Sequence, residues 1–374
     1  MKRFTDIFRR KSVVLLFVDL IQDLDLIVPI AIGLQQRKEL TIKVVVTDRG
    51  LAKSPRIRST FAELGITVTP VVYKSVFKGN QPSLKGIHAL ITASETTAGP
   101  HRAAHALTKR ANKAGIATYT LQHGYENIGL TYSDSTYPLS DITFASQTVF
   151  IWGHHSHLLD DISAETRNKC VSVGCPKKAR PFNTLPTLEH AGSHLIAIFE
   201  NLHWERYSQQ YRQQALDDIA TAVHNFPDIT FLVKPHPAGL WLTKQEQDLL
   251  PSAQNLIVIN PQDKKWQAFT SPALAEIADA VISTPSTVVL DATRLNTSVA
   301  VIGYDLSLPM YSPLPILKEI SDWNTFIEDI CGISGGVSGL DKLKQITQAF
   351  TKEALIEGDG VSRILDRVLL DIAR

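Results

Sequence analysis

The chain has 374 residues, of which 44% are hydrophobic and 20% charged, and its formal net charge is +1. That length argues for two domains rather than one core, and so balanced a charge offers no footprint for a nucleic-acid partner. Cys170, Cys175 and Cys331 show neither metal-ligand spacing nor a disulfide framework, which fits a reducing cytoplasm.

At the amino terminus Phe4, Ile7 and Phe8 stand among Lys2, Arg3, Arg9, Arg10 and Lys11. Such a leader reads as a solvated terminus, with peripheral contact to the inner membrane as the functional alternative. The apolar run over 13–18 is too short for a signal peptide's hydrophobic region and stops at Asp19, so it predicts the first core strand. No run approaches the roughly 18 apolar residues that a bilayer span needs. Next come an expected helix over 26–36, a strand over 42–47, and a helix over 55–64 that stops at Gly65. Strands are expected over 68–73 and 89–92, then a helix over 100–114 with Ala103, Ala104, Leu107 and Ala111 on its apolar stripe. Strands follow over 117–121 and 148–152, a helix through 158–169 and a strand over 170–173. Short apolar runs alternating with helical periods point to parallel βαβ units.

The alternation lapses after Pro176, through Pro181 and Pro186, and then restarts. Strands are expected over 195–199, 230–233, 256–259, 280–282 and 299–302, with helices over 207–225, 273–277 and 287–295. The tail reads as helices over 323–331 and 339–374, interrupted by the glycines between 332 and 336. The expected organisation is a first domain over 1–176, a linker over 177–194, a nucleotide-donor domain over 195–355 and a final helix over 356–374 that packs back on the first domain. The expected fold class is α/β: two Rossmann-like domains facing a cleft, with a helical C-terminal tail.

Two segments of the second half carry the strongest chemical signal. Lys234, Pro235, His236 and Pro237 close one apolar run; the two prolines fix the backbone around the histidine, as at a strand exit. Ser283, Thr284, Pro285, Ser286 and Thr287 close another run and open a helix, with Thr284 as the expected N-cap and Ser286 as the alternative. Ligands in open α/β sheets bind beyond the carboxyl ends of strands. Hydroxyls at a helix start suit phosphate, and a neighbouring histidine can neutralise a phosphate leaving group. The plain alternatives are a rigid turn and simple capping.

In the first half, Gln122, His123 and Gly124 end a strand and Glu126 follows, all expected to contact an acceptor from the cleft. A polar strand cap is the competing reading. Carboxylates that could act as base or nucleophile also sit past strand ends. Asp25, Glu95 and Glu200 lead, with Asp23 beside them; N-capping of the helix explains one of Asp23 and Asp25. His154, His155 and His157 have no carboxylate or cysteine partner at ligand spacing, so no metal is expected. There is no Gly-x-Gly-x-x-Gly, Walker loop or Gly-x-Ser-x-Gly elbow, and no cofactor is expected.

Gln122 to Gly124, Val173-Gly-Cys-Pro176, Lys234 to Pro237 and Ser283 to Thr287 together resemble GT-B glycosyltransferases of bacterial surface-polysaccharide assembly. The last two segments resemble the His-Pro and Ser/Thr motifs of CMP-sugar enzymes, among them sialyltransferases and Kdo transferases. The resemblance implies a GT-B-like enzyme moving a sugar, Kdo first, from a CMP-activated donor to a glycan or glycolipid acceptor. It places His236, Ser286 and Thr287 on the CMP phosphate and ribose, and needs no metal. Two rivals stand beside it: a CDP-glycerol or CDP-ribitol phosphotransferase, and a non-catalytic glycan- or nucleotide-binding subunit.

Overall fold

Runs such as Val14 to Val18 and Val44 to Val46 are apolar on both faces, and a strand of that kind is stable only when covered on both sides. The computed structural model describes residues 11–126, 141–178, 187–190, 192–236, 239, 241–243, 249–260, 263–266, 268–333 and 338–373. Phe4, Ile7, Phe8, Pro181, Pro186 and Pro237 lie outside them. The chain forms two compact units, the first taking residues up to 178 together with Leu355–Arg374, and the second taking Ala179–Ala354.

In the first unit the order is β1 (Ser12–Val18), α1 (Leu24–Gln35), β2 (Leu40–Thr47), α2 (Asp48–Lys53), α3 (Pro55–Glu63), β3 (Val68–Val71), α4 (Tyr73–Phe77) and β4 (Ala89–Thr92). Then come α5 (Arg102–Lys113), β5 (Ala117–Leu121), β6 (Thr148–Ile151), α6 (Ala164–Lys169) and β7 (Cys170–Ser172). The strands pair in parallel in the order β3-β2-β1-β4-β5-β6-β7, so the chain reverses direction across the sheet between β1 and β4. Gly65 and Gly115, at φ +67° and +70°, end α3 and α5 in the left-handed conformation that glycine adopts freely.

Several elements differ from their sequence patterns, among them α2, which the apolar pattern did not mark. The third strand stops at Val71 because Tyr73 begins a short helix, its amide held by Asp48 Oδ1 at 2.9 Å. The helix expected through 158–169 is only α6, because Ser163 caps it by accepting from the Thr166 amide.

The second unit contains β8 (His194–Glu200), α7 (Gln209–Asn225), β9 (Ile229–Pro235), β10 (Leu256–Val258), α8 (Ser271–Ile277), β11 (Ala280–Ser283), α9 (Thr287–Thr293), β12 (Ser298–Ile302), β13 (Ile316–Leu317), α10 (Ile320–Cys331) and α11 (Ser338–Ala354). Its parallel order is β10-β9-β8-β11-β12-β13, reversing between β8 and β11. Trp323, Phe326, Ile327 and Ile330 of α10 pack with Tyr211, Ile219 and Val223 of α7 in the core.

The last helix, α12 (Gly360–Ile372), packs on α1 in the first unit. Gly33 makes this contact possible: a Cβ there would lie 2.7 Å from Leu365 Cδ1 and 2.9 Å from Val361 Cγ1. Arg37 pairs with Asp366 at 2.9 Å, and the buried Tyr119 hydroxyl donates to Asp371 at 3.0 Å. Among the described residues no helix is long and apolar enough to cross a membrane.

Candidate functional site

The second unit gathers its polar side chains at the carboxyl ends of β8, β9 and β11, beside the reversal point where open α/β sheets leave a crevice. Pro235 supplies no amide, and the ladder closes instead through the His236 amide donating to the Glu200 carbonyl at 2.8 Å. His236 is thereby fixed next to the end of β8. Its ring stacks on His203 with centroids 4.9 Å apart, and Trp204 flanks His203 at 4.6 Å. Gly239 lies against the His203 ring, where a Cβ would overlap His203 Cγ. Both imidazoles are pushed down to about 4, His236 by burial and then by His203, and His203 by burial and then by Arg212. They are neutral at pH 7. Neither ring nitrogen of His203 has a partner among the described residues.

Glu200 is the buried carboxyl of this group. It is 4% exposed, Oε2 accepts from the Leu202 amide at 2.7 Å, and Oε1 has no partner among the described residues. Burial raises it to about 7 against the lowering effect of the Leu202 amide. Asn201 is the hub. Its Oδ1 accepts from the Thr284 and Tyr207 hydroxyls, each at 2.6 Å, its Nδ2 donates to the Pro285 carbonyl at 3.1 Å, and its amide donates to Thr284 Oγ1 at 3.1 Å. The end of β8 is therefore tied to the turn after β11.

In the first unit the equivalent reversal point lies between β1 and β4. Asp23 Oδ2 accepts from the amides of Asp19 and Leu20 at 2.8 and 2.9 Å, which holds the turn after β1. Burial raises Asp23 to about 7, and Asp19 adds to the shift. Asp19 itself pairs with Arg49 at 2.5 Å. At the end of β5, Gln122 Oε1 accepts from the Trp152 amide at 2.7 Å and Nε2 donates to the Gly124 carbonyl at 2.8 Å. His123 meets His101 edge-on at 5.3 Å and is held at about 3 by burial, His101 and Lys177. Glu126 is half-buried in the same loop. Among the described residues no group of three or more histidine, cysteine and acidic side chains could hold a metal ion.

No protein-family model and no curated protein matches the sequence. Solved structures do match over nearly the whole chain. A Listeria monocytogenes protein, provisionally assigned as UDP-N-acetylglucosamine 2-epimerase, superposes with a TM-score of 0.69 at 13% identity, over 96% of each chain. The UDP-GlcNAc 2-epimerase from Neisseria meningitidis, bound to UDP-GlcNAc, gives 0.63 at 16% identity, over 96% of this chain and 100% of that one. The wall teichoic acid polymerase TagF, soaked with CDPG, gives 0.60 at 13% identity, over 98% of this chain and 89% of that one. This chain has a GT-B-like fold. Identity this low carries the fold and leaves the chemistry to the residues.

Within the GT-B-like fold, several residues singled out from sequence take other places than expected. Thr284 is not the cap of α9: its hydroxyl turns into the core to Asn201, and Ser286 caps by accepting from the Val288 amide at 3.2 Å. Ser283 is buried too, donating to the Thr284 carbonyl at 2.7 Å. Only Ser286 and Thr287 stay half-buried. At seven residues α9 is a short helix, so side chains rather than its dipole must supply most of any anion attraction. Lys234 Nζ donates to the Phe269 carbonyl.

Glu95 is fully buried and serves as an anchor, accepting from the Ala145 and Ser146 amides and the Ser146 hydroxyl and meeting His105 Nδ1. That set occupies both oxygens, which removes it as a free base. Asp25 is exposed on α1 beside Arg56 at 3.9 Å, whereas Asp23 is the buried carboxyl after β1. Pro237 lies outside the described residues. His203 and Asn201 were not among the expected site residues; their only signal was two polar side chains in the short stretch after β8.

Ser286→Ala is expected to cost about 1 kcal/mol through loss of the cap. A melting curve checks this, and a loss near zero would show that the Val288 amide finds another acceptor.

Proposed function

We propose that this protein is a nucleotide-dependent glycosyltransferase whose donor binds the second unit. The observation that carries the reading is the convergence of Glu200, His236 and Ser286 at the ends of β8, β9 and β11 beside the reversal of strand order. His236 would donate to a donor phosphate, and Ser286 and Thr287 to phosphate or ribose oxygens. Because His236 is neutral in the free protein, it would meet the singly charged phosphodiester of the donor as an N–H donor, and the second charge that develops on the leaving CMP phosphate would draw a proton onto it. Glu200, held at about 7, is matched to proton transfer near neutral pH. The donor is proposed to be a CMP-sugar, Kdo first, and the acceptor a glycan or glycolipid meeting His123 and Glu126 of the first unit.

A second reading is favoured by the likeness to TagF: transfer of a glycerol- or ribitol-phosphate group from a CDP donor. A third, conversion of a UDP-sugar, follows from the likeness to the Neisseria meningitidis epimerase bound to UDP-GlcNAc. A thermal-shift panel of CMP, CDP and UDP separates the three, since a ligand at 100 times its Kd adds about 2.7 kcal/mol. The primary reading expects CMP to stabilise most. His236→Ala is expected to weaken CMP binding by roughly ten- to a hundredfold, as for a hydrogen bond to a charged group. Equal CMP affinity in a folded variant would remove His236 from the donor site.

A further inference from the structure

At the carboxyl ends of β5 and β6 in the first unit, two neighbouring side chains have a buried nitrogen without a partner among the described residues. Trp152 is 1% exposed, yet its indole Nε1 has no hydrogen-bond partner among the described residues. Indole N–H can only donate, and leaving such a group buried and unmet is costly. His123, on the neighbouring strand end, has an unmet Nδ1 among the described residues. The two positions are locked together, because the Gln122 side chain accepts the Trp152 amide and the Gln122 amide donates to the Phe150 carbonyl at 2.8 Å. Lys177 lies over the Trp152 ring at 5.5 Å and also acts electrostatically on His123. His101 closes the group from the start of α5, edge-on to His123. Lys177 is the cation that acts on His123, whereas burial holds His101 at about 4, so its ring is neutral at pH 7.

The Trp152 indole can only donate, a neutral His123 presents one N–H in either tautomer, and Lys177 is a cation beside them, which together call for a ligand rich in acceptors and negative in charge. Gln122 is not available for this, since both ends of its amide are used. We propose that His123, Trp152 and Lys177, supported by His101, form an oxyanion site in the first unit, distinct from the donor site of the second. Its ligand is a phosphate or carboxylate group. Assigning that group to the acceptor rests on the transferase reading, and would make the acceptor an acidic glycan or a phosphorylated lipid; the oxyanion site itself stands without it.

The test is isothermal titration of the full chain with inorganic phosphate and, separately, with acetate. His236→Gln serves as the background that weakens the second unit's phosphate site. In that background saturable phosphate or acetate binding is expected to persist, and phosphate alone or acetate alone tells which group the site takes. Adding Trp152→Phe or His123→Gln is expected to weaken it at least tenfold, as removing one hydrogen bond to a charged group does. Lys177→Met keeps the alkyl stem over the indole and covers the case in which either core variant fails to fold. Binding that is indifferent to all of these changes overturns the oxyanion site, as does loss of all binding with His236→Gln alone. Failure of the donor reading looks different: CMP and phosphate affinities then ignore His236→Gln.

Discussion

Asn201→Ala is expected to lower stability by about 3–5 kcal/mol and to abolish nucleotide binding. The side chain joins two strand ends that are far apart in sequence. Its removal takes the acceptor from the buried Tyr207 hydroxyl at 2.6 Å and the donor from the Pro285 carbonyl at 3.1 Å. Thr284 retains a weaker acceptor in the Phe199 carbonyl at 3.4 Å, which is why the loss should stop short of three full hydrogen bonds. Buried polar groups deprived of a partner cost about 1–3 kcal/mol each. For a unit of this size that is a melting decrease of roughly 6–20 °C. The turn carrying Ser286 loses its tie to β8 at the same time, so affinity should fall further than stability alone explains. Differential scanning calorimetry and a CMP titration read the two effects. A variant melting within 2 °C of wild type, by that same scale about 1 kcal/mol or less, would show that the hub is redundant.

The sheets were legible because their strands are buried on both faces and read as unbroken apolar runs, and because glycines such as Gly65 and Gly115 mark where helices stop. The strand exit before His236 was legible for a similar reason, since prolines flanking a strand end act locally. What escaped was tertiary. β13 is two residues long and has no period to detect. Glu95 looked like a free base because the amides that occupy it, at Ala145 and Ser146, lie 50 and 51 residues away. Asp25 and Asp23 are two residues apart, and only the turn after β1 decides which is buried. Ser286 displaced Thr284 as cap because the Asn201 side chain outcompetes the helix for the threonine hydroxyl. His203 becomes conspicuous only once His236, Trp204 and Gly239 are placed around it.

Glu200→Gln separates a chemical role from a structural one. Glutamine keeps an oxygen for the Leu202 amide, now met by Oε2 at 2.7 Å, and cannot ionise. The folded pKa of Glu200 is raised to about 7, so its protonated form is the one the fold favours. The contribution is fully present below the unfolded value of about 4.3, and is lost as pH rises through about 7. The variant should therefore match wild type at pH 4 and be more stable than it at pH 8–9, by on the order of a few kcal/mol. If Glu200 moves the proton during transfer, turnover should drop by about 10²–10⁴-fold with CMP affinity nearly unchanged. The limb of the pH–rate profile near 7 should vanish with it. Stability and turnover can respond independently. A variant that gains alkaline stability and keeps its turnover would mark Glu200 as a buried structural acid and shift the search for the base to Asp23 or Asp25.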